Sequence, residues 1–418
     1  MTDGLRETLD QYGYAQVVLV FETGAAAGAP PSVEDLREHF LDAAVLGSPA
    51  TGGVLASVES AGLAHQAPVH LAMASLAASS PPPVRIFPRL GMALGYATRE
   101  GVEALHSRPG VAKVLRAELP SLIRPVRAES SPPPVNPTWG VERLRAPELW
   151  AQGIRGHGVT VGHIDTGVAA NHPALAGAVA HFSQFDLQGR QMEGVAAWDS
   201  DDHGTHTAGT ILGRAVDTNA IGMAPEATLA SAMVIEGGDV VGRILGGMEW
   251  VLGQGIRVFS ASLGIRGQGV AFQAAMDGIR AAGVLPVIAV GNEGLNTSRY
   301  PGNYANVLSV GACDRTDAVA PFSSSQQFGA RMVPDLVAPG VDVLSCVPSG
   351  FARMDGTSMA TPHVAGLAAL LFSAEPEASA DDVERAILSS CVRPAAMDES
   401  RGNRGIPDAV RALAALRG

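Results

Sequence analysis

Residues 159–164, 227–233, 256–261, 284–290 and 307–311 are short apolar runs bounded by glycine or polar turns, the pattern of strands buried on both faces. Between and after them, segments near 204–213, 240–253, 269–282 and 359–373 repeat apolar or small residues at helical spacing. Strand and helix in alternation predict an α/β fold with a mainly parallel sheet covered by helices on both faces. Two amphipathic segments, 380–389 and 407–416, predict helices packed on the outside.

The N-terminal third reads differently. Residues 14–21 predict a strand, 33–44 a helix, 92–97 a strand, 98–107 a helix and 111–117 a strand, with Ala/Ser/Pro-containing connections over 47–83. Short strands with two helices predict a small α+β unit. The run from Glu129 to Pro137, with prolines at 132, 133, 134 and 137, suits an extended, exposed linker. The expected division is therefore 1–128, a linker at 129–137, and a main domain at 138–418.

Composition narrows the function classes. A chain of 418 residues with 46% hydrophobic residues has room for two domains and a sizeable core. Its net charge of -12, spread without long runs, argues against nucleic acid as a partner. Cys313, Cys346 and Cys391 have no metal-like spacing and do not suggest a disulfide framework, which fits a reducing compartment. No stretch approaches the roughly 20 apolar residues of a membrane span. The acidic, polar N-terminus lacks a basic segment followed by an apolar one, so a cytoplasmic setting is expected, with an unusual export route or a missing leader as the alternative.

Three segments carry the chemistry. Asp355-Gly356-Thr357-Ser358 places a serine at a glycine-led turn before an Ala-rich helix, where the helix dipole favours an anionic transition state. The predicted strand at 159–164 delivers Asp165 to its C-terminal end, where function collects in open α/β sheets. In Asp202-His203-Gly204-Thr205-His206, a histidine precedes small residues suited to a tightly packed helix. A nucleophilic serine needs a base of near-neutral pKa, and that base needs a buried carboxylate. Asp165, His203 and Ser358 supply those roles.

The three segments, in the order Asp, His, Ser, closely resemble the subtilisin family of serine peptidases over roughly residues 138–372. The resemblance implies that His203 rather than His206 is the base, leaving His206 and His363 to packing, with His163 and His172 structural as well. It assigns the oxyanion to Asn292, in Gly291-Asn292-Glu293-Gly294, together with the Ser358 backbone amide. Ser262-Leu263-Gly264 and Gly237-Gly238 become the two edges that pair with an extended substrate. Residues 1–128 become a ferredoxin-like prodomain that inhibits the enzyme in trans. Polypeptides are the expected substrates and a monomer the expected state.

Two departures from the family follow. Ala174 stands where an aspartate is common, and Val216 where an amide ligand is usual, so that calcium site lacks its usual oxygen ligands; no cofactor is expected there, and a calcium requirement elsewhere stays open. Arg299 stands in the first specificity pocket where a small residue is common. A guanidinium there would favour an acidic residue before the scissile bond, with self-processing after Glu129. The competing expectation from another class is a catalytically silent peptide-binding scaffold of the same fold.

Overall fold

The computed structural model describes residues 1–22, 31–41, 84–132, 137–215, 220–235 and 237–418, grouped in two compact units, Met1–Ala117 and Glu118–Gly418. The first unit carries β1 (Tyr14–Phe21), β2 (Val84–Phe87), β3 (Met92–Thr98) and β4 (Val111–Arg116) in an antiparallel sheet of order β2-β3-β1-β4. Alternating residues of β1, Ala15, Val17, Leu19 and Phe21, point with Leu5, Leu36, Val102 and Leu105 into one core. The expected helix at 33–44 is described as Val33–Arg37, and 42–44 lie outside the described residues, as do 47–83.

In the second unit the chain enters through β5 (Ser121–Leu122) and β6 (Arg127–Ser131) before the main sheet begins. That sheet is built from β7 (Thr160–Asp165), β8 (Val179–Phe185), β9 (Gln191–Met192), β10 (Thr228–Met233), β11 (Val258–Ala261), β13 (Leu285–Ala289), β15 (Leu308–Cys313) and β18 (Leu336–Pro339). Short strands β12 (Leu263–Arg266), β14 (Arg299–Tyr300), β16 (Gln326–Phe328) and β17 (Arg331–Val333) lie outside it, as does the hairpin of β19 (Val343–Val347) and β20 (Gly350–Asp355). The order β18-β15-β13-β11-β7-β10-β8-β9 is parallel except for β9.

Adjacent residues of a strand face opposite sides, and β7 shows what each side meets. His163 hydrogen-bonds Thr207 of the helix His203–Leu212, whereas Ile164 packs near Gly247 of the helix Val240–Leu252. Helices thus cover both faces, giving the three-layer α/β fold. The helix Thr357–Ala374 is buried through sixteen successive positions, 357–372, which explains why its sequence is apolar all round rather than amphipathic.

The structure revises the expected linker. Residues 127–131 are not free: β6 pairs antiparallel with β20, from Arg127 opposite Asp355 to Ser131 opposite Phe351. The prolines stop the pairing rather than define the whole segment, because the first of them, Pro132, comes only after the strand has ended. The boundary between units accordingly falls at Ala117 and Glu118, and residues 118–131 belong with the second unit.

Candidate active site

Asp165 ends β7 and is 1% exposed. Its Oδ1 accepts from the Thr166 backbone N–H at 2.7 Å and lies 2.8 Å from His203 Nδ1. A carboxylate only accepts, so this bond puts the imidazole proton on Nδ1 and leaves Nε2 as the basic nitrogen. Nε2 is buried and, among the described residues, has no hydrogen-bond partner. Burial pushes the Asp165 carboxyl up, but His203, His163 and the Thr166 amide outweigh it and hold the group below the usual range. For His203 burial favours the neutral ring, yet the charges of Asp165, Asp201 and Asp199 prevail and raise its pKa.

His203 opens its helix directly behind the carboxylate, and the following glycine makes this possible. A Cβ on Gly204 would come 2.1 Å from the Gly167 carbonyl oxygen, so only glycine allows the helix to approach the end of β7. Asp199, the next layer, accepts from the Thr205 amide at 2.6 Å and from Thr166 Oγ1 at 2.7 Å, while burial pushes its pKa up to about 6. The other histidines sit as the sequence suggests. His206 Nε2 lies 3.0 Å from the Val343 carbonyl, with burial pulling its pKa down to about 3. His363 Nδ1 lies 2.8 Å from the Met359 carbonyl and is likewise depressed by burial, to about 4.

Ser358 is the second residue of its helix and fully buried. Its hydroxyl donates at 2.5 Å to the carbonyl oxygen of Ile123, in the segment that leads out of the N-terminal unit. Ser121 and Leu122 of that segment pair antiparallel with Gly264 and Leu263, and the Ile123 amide donates to the Ser262 carbonyl at 2.9 Å. One residue on, the Arg124 carbonyl accepts from Asn292 Nδ2 at 2.9 Å. Asn292 is fixed for this by Thr357, whose backbone N–H and Oγ1 both donate to Asn292 Oδ1 at 2.9 Å. The cleft therefore holds an extended piece of the protein's own chain.

Ser262, Leu263 and Gly264 line one side of the segment 121–123 through main-chain pairing. Gly237 and Gly238 both have positive φ and lead into the helix Val240–Leu252, and among the described residues neither pairs with the segment 121–124. Arg299 lies within the groove but is neither a free guanidinium nor turned to solvent. It is 8% exposed, its Nε donates to Glu293 Oε1 at 2.9 Å and its Nη2 to the same oxygen at 2.5 Å, and Nη1 reaches Ser121 Oγ at 3.0 Å. Glu129 stands in the β6 ladder opposite Arg353, removed by five residues of chain from the carbonyl that Asn292 holds.

Thr357, Asp199, Asp201 and the segment 121–124 were not singled out by sequence. Thr357 adjoins the serine and could have been suspected; the others meet the site only in three dimensions. Ala174 is fully buried and presents only a methyl group. Val216 lies outside the described residues. Among the described residues no helix is long and apolar enough to cross a membrane.

A basic imidazole nitrogen, a serine hydroxyl at a helix start and an amide donor at a strand end are together what acyl transfer requires. Comparison with known proteins agrees. Residues 156–408 match the model of the subtilase family. The chain is 38% identical to Subtilisin BL of Lederbergia lenta over 241 residues, 57% of this chain and 85% of the relative. It is 38% identical to Subtilisin DY of Bacillus licheniformis over 259 residues, 60% and 90% of the two chains. With the Subtilisin-like protease PopC of Myxococcus xanthus it shares 37% identity over 281 residues, 59% of this chain and 58% of the relative. The chain belongs to the subtilase family and is a subtilisin-like serine endopeptidase.

Proposed function

We propose that Ser358 attacks the substrate carbonyl carbon while His203 Nε2 takes the hydroxyl proton and later returns it to the leaving amine. Asp165 orients His203 and stabilises its cation, and Asn292 Nδ2 with the Ser358 amide holds the oxyanion. The observation that carries this reading is the segment 121–124 lying extended between Ser262, Ser358 and Asn292, as a peptide substrate would. The Ser358 hydroxyl on the Ile123 carbonyl and the Ile123 amide on Ser262 support Ile123 as the residue before the scissile bond; Asn292, which holds the next carbonyl, that of Arg124, has to shift back by one to meet the oxyanion. Ile123 is 1% exposed, which supports an apolar preference there in place of the acidic one expected from Arg299.

In the same reading Met1–Ala117 is an inhibitory prodomain joined directly to the segment that fills the cleft. Three thiols without disulfides support a cytoplasmic setting. A fluorophosphonate probe tests the chemistry: the processed wild type is labelled and Ser358→Ala is not. Absence of labelling in processed wild type would favour a silent scaffold.

A further inference from the structure

Beyond Arg124 the chain does not leave the cleft but continues as β6, adding a third strand to the β19–β20 hairpin. The register sets Arg127 opposite Asp355 and Glu129 opposite Arg353, so a plus-minus pattern on the segment meets a minus-plus pattern on the enzyme. Arg127 Nε lies 3.1 Å from Asp355 Oδ2, and its Nη2 lies 3.2 Å from Asp342 Oδ1. Asp342 is shared with Arg315 and Arg353, at 3.1 and 3.0 Å. Asp355 pairs with Arg127 alone among the described residues, and its other oxygen accepts from the Asp342 amide at 2.7 Å.

Residues 127–130 of β6 are exposed and Ser131 is half-buried. The strand is therefore held by main-chain ladder bonds and by charge, not by apolar burial. Such a strand is exchangeable: cleavage after Ile123 leaves it attached only at its C-terminal end, and whenever it lifts away β20 is an open edge that accepts another extended chain of the right charge pattern.

We propose that β20 is an extended docking edge for the part of a substrate that follows the scissile bond, selecting through Asp355 for arginine or lysine at the fourth residue after it. The inference rests on the peptidase reading and on Ile123 as the residue before the bond. It names a substrate class: polypeptides whose cleavage site is followed by a basic residue four positions on.

The test uses the full chain after self-processing and internally quenched peptides with the sequence of residues 119–131, carrying Arg, Ala or Glu at the position of Arg127. The Arg peptide should exceed the Ala peptide in kcat/KM by about two- to fivefold, and the Glu peptide by more. The differences should shrink in about 1 M salt, and Asp355→Asn should bring the Arg and Ala peptides together. Equal kcat/KM for all three overturns the docking edge while leaving the peptidase intact. If none is cleaved and the fluorophosphonate does not label, the peptidase reading fails instead. The uncut Ser358→Ala chain then decides the docking edge without turnover: Arg127→Glu should speed hydrogen exchange at the amides of 127–131 by about fivefold or more. Unchanged protection of that strand overturns the proposal.

Discussion

The Ser358 hydroxyl is bonded to the carbonyl oxygen of Ile123, not to His203, and the two meet at 2.5 Å. A nucleophile so placed has only to turn from the oxygen toward its carbon, with His203 Nε2 available for the proton. The expected outcome is self-cleavage between Ile123 and Arg124. N-terminal sequencing of purified protein should begin at Arg124, and Ser358→Ala should remain a single chain. Cleavage after Arg124, whose carbonyl Asn292 holds, or after Glu129 would mean that the register is misread.

Asn292 depends on Thr357 to present its amide, since both Thr357 donors hold Oδ1. Asn292→Ala should lower kcat by about 10²–10³-fold with little change in KM, a magnitude measured in subtilisin itself. Thr357→Val keeps the backbone donor and the shape but loses the hydroxyl. It should cost less, about tenfold, again in kcat. A Thr357→Val enzyme with unaltered kcat would show that the backbone bond alone orients the amide.

The acid limb of activity follows from the charges around His203. The base must be neutral, and Asp165, Asp201 and Asp199 all favour its cation, so its pKa is raised. kcat/KM should therefore fall on acidification through a value above the usual histidine pKa of about 6.5. Asp201→Asn removes one of these charges while keeping the acceptor for the His203 amide at 3.3 Å, and should move the limb toward lower pH. A limb that stays in place in that variant would remove Asp201 from the account.

Legibility in the sequence followed from how local the causes are. Asp165, His203 and Ser358 each carry a neighbour that the geometry demands, such as Gly204 against the Gly167 carbonyl, and such pairs are visible in a few residues. Strand β8 was missed because His181, Ser183 and Gln184 interrupt its apolar run, next to the two-residue edge strand β9. The cleft segment was hidden for another reason: its ladder bonds to Ser262, Asn292 and β20 use its main-chain atoms, and its side-chain pairs, such as Arg127 with Asp355, join residues far apart in sequence. At Gly237 and Gly238 the sequence leaves a substrate edge and a left-handed turn equally open, and both residues have positive φ.

Arg299 shows how one partner changes the meaning of a residue. Read alone, a guanidinium in the first specificity pocket attracts a carboxylate. Glu293, six positions earlier and at no helical or strand spacing, already supplies it. Burial pushes the Glu293 carboxyl up, but the bonds and charge of Arg299, with Arg266 beside it, hold it below the usual range. It is thus ionised at neutral pH and cancels the charge a substrate would feel. A substrate glutamate would have to enter beside Glu293, and two carboxylates sharing one guanidinium repel. Among peptides differing only before the scissile bond, wild type should prefer Ile or Leu over Glu by about tenfold or more. Glu293→Gln keeps an acceptor for Arg299 and frees its charge, so the ratio should move toward Glu. Adding Arg299→Ser to that variant should abolish the gain. A wild type that already prefers Glu, or a Glu293→Gln enzyme with the wild-type ratio, would refute the neutralised pair.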